Sequence, residues 1–418
     1  MNFDLMRSLL IDRALRGELF SNVTSVEAEG KSLEEEQTTP FTIPNHWQWK
    51  RVADCVQFNP KVIQDDAVEV SFIPMADVEP GFVDHCSTRQ AKPWAKVKKG
   101  FSRFQEGDLL VAKITPCFQN RKSCVAKSLI NGTGAGSTEF HVMRCVSGVD
   151  AKFLLYFFKS EYFIRYGVNH FNGTVGQQRV GAQDIKDCLI PVPSVEEQVR
   201  IVAKLEDAFA EIDRAEKAYE ELQTLAGVLR GQILQEAIQG KLVPQLAEEG
   251  VVEQIGAASE EVPFKIPESW KWVKLKSVFS MQAGKFISAS SIQPEGRFPC
   301  YGGNGLRGYV DISNRKGRFP LIGRQGALCG NVHVVDGEFY ATEHAVVVDC
   351  GEYGDPDCVG LFLEAMNLNQ YATATAQPGL SVKKIIELPF PLPPKDEQAR
   401  IVSRVKDLMK QVDALSAR

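Results

Sequence analysis

The chain repeats itself, and that repeat limits its folding more than any other feature. Ile43-Pro44-x-x-Trp47-x-Trp49 recurs as Ile266-Pro267-x-x-Trp270-x-Trp272, an offset of 223 residues. The same offset aligns Ala14-Leu15-x-Gly17-x-Leu19 with Ala237-Ile238-x-Gly240-x-Leu242. Pro191-x-Pro193-x-x-x-Glu197-Gln198-x-Arg200-Ile201-Val202 recurs at an offset of 200 as Pro391-x-Pro393-x-x-x-Glu397-Gln398-x-Arg400-Ile401-Val402. Thr138-Glu139 and Thr342-Glu343, each opening an apolar run, mark the middle of the two copies. A tandem duplication whose second unit is the shorter follows from these offsets.

Between the copies, Glu196 to Leu242 reads as one long helix. Apolar residues fall in alternating steps of three and four at Ile201, Leu205, Ala208, Ile212, Ala215, Tyr219, Leu222, Ala226, Leu229 and Ile233, a sustained heptad seam. Pro191 and Pro193 precede it and Pro244 follows it. The C-terminal segment repeats the first half of this seam with Ile401, Val405, Leu408, Val412 and Leu415, and the N-terminal segment repeats the second half with Phe3, Met6 and Leu10. In the frame of the central helix Arg418 falls at position 218 and Met1 at position 224, so the two ends together nearly rebuild a second copy. The expected architecture is α+β (mixed α/β): two globular domains separated by two long antiparallel coiled-coil helices, one continuous and one split, a circularly arranged repeat with approximate two-fold symmetry. Its expected segments are a helix over 1–20, a domain over 40–195, the central helix over 196–243, a second domain over 262–394 and a helix over 395–418.

The composition is that of a globular chain, 44% hydrophobic and 24% charged. No run approaches the roughly 20 apolar residues of a membrane span, and the amphipathic N-terminus, with acids among its bases, does not read as a signal peptide. The ten cysteines stand singly, without a C-x-x-C pair or zinc-ligand spacing, which fits a reducing cytoplasm. A net charge of −5 argues at first against a nucleic-acid partner. Divided by segment, however, 40–195 carries +5, 262–394 carries +1 and the remainder −11. The acidity lies in the connecting segments, and binding to phosphate needs a basic face rather than a basic whole.

The order and duplication of these motifs resemble the specificity subunits of type I restriction–modification enzymes. The resemblance is carried by the helix-opening Pro-x-Pro-x-x-x-Glu-Gln at Pro191 and Pro391, Gly240-Lys241-Leu242, and the Ile-Pro-x-x-Trp-x-Trp openings. Within the first domain Gly107-Asp108-Leu109-Leu110, Lys113-Ile114-Thr115-Pro116-Cys117, Ser137-Thr138-Glu139-Phe140 and Gly176-Gln177-Gln178-Arg179-Val180 are similar to that family's target-recognition domains. Tyr301-Gly302-Gly303-Asn304-Gly305 and Leu321-Ile322-Gly323-Arg324-Gln325-Gly326 play the same part in the second. The resemblance implies a non-catalytic DNA reader. Each domain would read half of a bipartite double-stranded target, and the helices would set the spacer and dock two methyltransferase (M) subunits, with two restriction (R) subunits completing the enzyme. S-adenosylmethionine would belong to the M subunit, and ATP and Mg to the R subunit, leaving no cofactor on this chain.

Base reading needs bidentate side chains on loops, Arg for guanine and Asn or Gln for adenine. The candidates are Lys113, Asn120, Arg121, Lys122, Thr174, Gln177, Gln178 and Arg179 in the first domain, and Tyr301, Asn304, Arg307, Arg324, Gln325 and Gln377 in the second. For any one of them a solvated turn residue is an equally good reading. Lys92, Lys96, Lys98 and Lys99 could bind phosphate or form a solvated face, and the four tryptophans are expected to pack each domain on its helix. Phe153 to Phe163 reads as one helix. An enzyme acting alone is disfavoured. Pro393-Pro394 lacks the flanking residues of an amino-methyltransferase motif, and Gly132-x-Gly134-x-Gly136 lacks the strand–turn–helix setting of a nucleotide loop. Pro116-Cys117 is a weak nucleophile signature, Glu29-x-Lys31 lies in a polar linker, and no His-x-His or His-x-x-x-His pair occurs. A purely structural protein would account for the seam, but not for Gln/Asn/Arg/Gly-rich loops in both copies.

Overall fold

The computed structural model describes residues 1–19, 39–88, 90–174, 176–256, 262–326, 328–373 and 378–416. Glu29 and Lys31 lie outside the described residues, as does Gln377. The chain divides into two compact units, Met1–Ala218 and Tyr219–Arg418. The long helix, Val195–Ile238, gives its first part to one unit and its second part to the other.

In the first unit two four-stranded sheets form the domain. One runs Val56–Phe58, Phe140–Cys145, Leu109–Ala112, Ser123–Val125, antiparallel throughout. The other runs Ala91–Pro93, Glu69–Ile73, Thr133–Gly136, Ser102–Gln105, with its central pair parallel. Here the spaced glycines find their use. A Cβ on Gly134 would lie 2.2 Å from the Phe104 ring, and one on Gly136 would lie 2.2 Å from the Ile73 carbonyl, so these strand glycines serve close packing. A short ribbon pairing Gln48 with Val192 and Arg51 with Leu189 closes the domain next to the long helix.

The second unit has the same topology. Its antiparallel sheet runs Ser280–Ala283, Ala345–Asp349, Phe319–Gly323, Val332–Val335. Its other sheet runs Gly305–Val310, Phe298–Gly302, Glu338–Ala341, Arg315–Lys316, again with a parallel central pair. The closing ribbon pairs Lys271 with Leu392 and Lys274 with Pro389, the partners of the first ribbon displaced by 223 and 200 residues.

The repeated motifs are the joints between domain and helix. Gly17 and Gly240 end their helices at φ +75° and +67°, and a Cβ on either would stand 2.4 Å and 2.5 Å from the Cγ of Pro44 and Pro267. Only glycine permits both the left-handed turn and that approach. Gln198 and Gln398 are fully buried brackets. Gln198 Nε2 donates to the carbonyls of Gly148 (3.1 Å) and Pro193 (3.0 Å), while its oxygen accepts from the Asp150 amide at 2.8 Å. Gln398 does the same with Tyr353 (2.9 Å), Pro393 (3.0 Å) and Asp355 (2.6 Å). Asp150 and Asp355 in turn cap the helices Ala151–Lys159 and Pro356–Ala365.

Each core joins a domain to helical surface. In the first, Trp47, Phe153, Phe157 and Phe158 pack with Ile11 and Leu15 of the N-terminal helix Phe3–Leu15 and with Ile201, Leu205 and Phe209. In the second, Trp270, Phe362 and Phe390 pack with Ile233 and Ile238 and with Ile401, Val405 and Val412 of the C-terminal helix Lys395–Ser416. Trp49 and Trp272 meet Phe41 and Phe264 at 4.9 Å and 5.0 Å. Arg7 reaches across to Asp213 (2.6 Å) and Glu216 (2.5 Å), and Arg230 to Asp413 (2.6 Å).

Three sequence expectations are corrected. Phe153–Phe163 is two helices, Ala151–Lys159 and Glu161–Asn169, because Ser160 adopts extended geometry and its hydroxyl accepts from the Phe163 amide, restarting the helix. The heptad seam is imperfect: Met6, Leu229 and Leu415 are 40%, 41% and 54% exposed, while Arg7 is buried beside Phe3 and Ile11. Helices of 3.6 residues per turn rotate a strict heptad off the packed face by about 20° per repeat. The third concerns the Thr-Glu markers, whose apparent offset of 204 is one residue out of register. Ser137 and Thr342 are the true equivalents: their amides donate to Ile73 and Tyr301, and their carbonyls accept from Phe140 and Ala345.

Candidate nucleic-acid interface

The equivalence puts one loop of each domain into the same hydrogen-bonded setting. In the first unit the Lys113 amide donates to the Glu139 carbonyl (2.9 Å), Val180 donates to the Lys113 carbonyl (3.0 Å) and Thr115 to that of Gln178 (2.9 Å). In the second, Arg324 donates to His344 (2.8 Å), Leu380 to Arg324 (2.9 Å) and Gly326 to Pro378 (3.0 Å). The two loops therefore match as Lys113-Ile114-Thr115 with Arg324-Gln325-Gly326, each pinned between a sheet strand and a returning segment.

Around the first loop lies a cleft of about 520 Å³. It holds Lys113, Arg179 and Thr138, and with them Arg103, His141 and Asn59, which the sequence motifs did not single out. Only Arg103 had a signal, a cation alternating with buried Phe104 on a strand. Arg179 grips the Glu139 carboxylate with two hydrogen bonds of 2.9 Å and so holds it below the usual carboxylate range. His141 is 5% exposed and its Nε2 donates to the Val180 carbonyl at 3.1 Å. Burial pushes its pKa down to about 4, so the ring is neutral. Gln177 and Thr174 are exposed and Gln178 is half-buried, on the segment that leads into Arg179.

Arg121 and Lys122 do not join this group. Arg121, at φ +56°, donates to the Lys159 carbonyl (2.9 Å) and to Glu161 (2.6 Å). Lys122 Nζ is spent on the Met75 carbonyl at 3.0 Å. Asn120 is exposed beside them, on a separate groove with Gly81, Phe82 and Phe209. Of the lysine run, Lys92 lies over the Phe72 ring and Lys98 pairs with Asp66.

In the second unit the turn Gly302–Gly305 lies against the matched loop, since a Cβ on Gly303 would stand 3.0 Å from the His344 carbonyl and 3.5 Å from the Arg324 amide. This brings Asn304, Arg324 and Gln325 together, and Asn304 accepts from Asn331 at 3.2 Å, while the Tyr301 ring packs on Phe339 at 5.7 Å. Arg307 is exposed one strand residue beyond the turn, its chain against Gly302. Glu343, from the Thr342-Glu343 marker, stands at the same place with His333 and His344, which carried no motif. Among the described residues no cluster of His, Cys, Asp and Glu could hold a metal, and no helix is long and apolar enough to cross a membrane.

The chain is thus a domain of two small sheets built twice, each copy with a polar loop pinned between a sheet strand and a returning segment. The chain belongs to the family of the type I restriction modification DNA specificity domain, whose model matches residues 44–224 and 267–418. It is 30% identical over 370 residues to the type I restriction enzyme EcoAI specificity subunit of Escherichia coli, covering 67% of this chain and 63% of that one. The chain thus spans just under two thirds of that relative. The EcoEI specificity subunit of the same organism is 23% identical across 99% of this chain and 90% of its own. Two solved structures share the fold at 19% identity. One, from a study of complex assembly and conformational transition of the type I R-M system, superimposes with a TM-score of 0.72 over 90% of this chain and 94% of that one. The HsdS subunit from Thermoanaerobacter tengcongensis does so at 0.59 over 90% and 93%.

Proposed function

We propose that this chain reads a bipartite DNA target, one half through residues 40–195 and the other through 262–394, and that its helices set the spacer and dock the methyltransferase subunits. The observation that carries the reading is the equivalence of the loops at Lys113 and Arg324 in two domains of one topology. Two readers built alike and joined through helix suit two half-sites at a set spacing. Lys113 and Arg179 are proposed to face DNA in the first half, and Tyr301, Asn304, Arg324 and Gln325 in the second. Arg121 and Lys122 are proposed to hold the loop that carries Asn120.

Partner docking is supported by apolar side chains left bare on the helices. Leu5 and Met6 are 54% and 40% exposed, and at the repeat offset of 223 they coincide with Val228 and Leu229, 63% and 41% exposed. Two equivalent bare patches fit two copies of one partner. We further propose that restriction subunits join this assembly, and that it works in a reducing compartment, which the ten free cysteines suit.

The test is single-molecule methylation sequencing of the host genome with the gene intact and deleted, in cells that express the methyltransferase partner. Loss of one bipartite adenine-methylation motif is the expected result. An unchanged methylome would refute the proposal. Exchange of residues 262–394 for a divergent domain should change one half of the motif, and a change in both halves would refute modular reading.

A further inference from the structure

The two domains differ in the side chains that surround their equivalent loops. In the first, the residues facing each other across the loop are Glu139 and Arg179, and the guanidinium consumes both carboxylate oxygens. In the second, the backbone hydrogen bonds make His344 the equivalent of Glu139 and Gly379 the equivalent of Arg179. The cation is gone. Beside His344, Glu343 has one carboxylate oxygen within 3.2 Å of the His344 Nε2, and its other oxygen has no hydrogen-bond partner. The His344 Nδ1 is also without a hydrogen-bond partner. The hydroxyl of Thr342, a residue 0% exposed, is unpartnered as well. Buried polar atoms are nearly always satisfied by protein or by ordered water, and these three, on successive residues, are each shut off from solvent. The side chains of Glu343 and His344 remain 31% and 39% exposed, next to the Gly302–Gly305 turn.

We propose that Glu343, with His344 holding its carboxylate, reads the exocyclic amino group of a base in the half-site contacted by the second domain. The proposal rests on the DNA-reading function above. In the major groove only cytosine N4 and adenine N6 present an amino group, whereas guanine and thymine present acceptors that a carboxylate repels. The first domain, with Lys113, Arg103 and Arg179 at its cleft, presents donors instead. The second domain thus adds an acceptor beside its own donor Arg324, the equivalent of Lys113.

The experiment is selection of bound duplexes from a library randomised across the target, using the chain in complex with its methyltransferase partner. Wild type is compared with Glu343→Gln and Glu343→Ala, and exchange of residues 262–394 identifies the half-site read by the second domain. In that half-site, wild type should require cytosine or adenine at one position, and sequencing tells which. Both variants should lose at least tenfold of the discrimination at that position and leave the other half-site unchanged. Glu343→Gln keeps the shape and adds a donor, so it should also admit guanine or thymine there. Unchanged preference at every position in Glu343→Gln overturns the proposal, as does weaker binding to all sequences alike, which is the mark of a structural or phosphate contact. Wild type that selects no split target fails the underlying function instead, and the two failures are thereby told apart.

Discussion

Replacing Gln398 with alanine tests the idea that the Glu-Gln motif is a joint and not a reader or a docking contact. Gln398 is 1% exposed and makes three hydrogen bonds, two to the carbonyls of Tyr353 and Pro393 and one from the amide of Asp355. Each such bond contributes about 1 kcal/mol net, so the loss is about 3 kcal/mol. It falls on the cap of the helix Pro356–Ala365, because Asp355 is both the partner of Gln398 and the N-cap. Urea unfolding followed by tryptophan fluorescence would measure it. For the second unit, 200 residues long, the same loss corresponds to a melting shift of roughly 6–12 °C. Gln198→Ala breaks the matching three bonds in the first unit and should cost as much. A loss under about 1 kcal/mol in both variants would refute the reasoning, since it would mean that water replaces the bracket freely.

Two further outcomes follow from the same geometry. Trp270 Nε1 donates to the Glu397 carboxylate at 2.8 Å, whereas Trp47 Nε1 is buried without a partner and Glu197 turns to His46 at 3.0 Å. Trp270→Phe should therefore destabilise by about 1–3 kcal/mol more than Trp47→Phe, and equal losses in denaturant titration would contradict the assignment. His141, held neutral by burial with a pKa near 4 against an ordinary 6.5, binds its proton more readily when unfolded. Its contribution is complete above pH 6.5 and is lost as pH falls toward 4, amounting to about 3 kcal/mol. His141→Asn should flatten the fall in urea midpoint between pH 6.5 and 5, and an unaltered slope would exclude the ring as its source.

The duplication was legible because the joints of a repeat are its most constrained points. A left-handed glycine pressed on a proline, a tryptophan in the core and a buried glutamine tolerate no substitute, so their letters and spacing survive in both copies. The offsets of 223 and 200 reappear as the register of the two closing ribbons. The site was less legible. Lys113, Arg179, Arg324 and Gln325 stand in the matched loops, but Arg121 and Lys122 are consumed by carbonyls that lie 38 and 47 residues away in sequence, a distance at which spacing carries no information. His141 and His344 gave no motif, and Glu343 only a repeat marker, because their roles depend on what faces them across the loop.

By itself the sequence determined the element types, the two-copy plan and the placement of each domain beside helix, since periodicity, turn residues and recurring motifs are local properties of the chain. Tertiary structure decided three things that are not local. Ser160 divides one apolar run into two helices by capping the second. The true register of the copies is set by strand hydrogen bonds and not by the nearest matching pair of letters. And whether a charged side chain is free for a partner depends on its own neighbours, as Arg179 satisfies Glu139 while Gly379 leaves its opposite side without a cation.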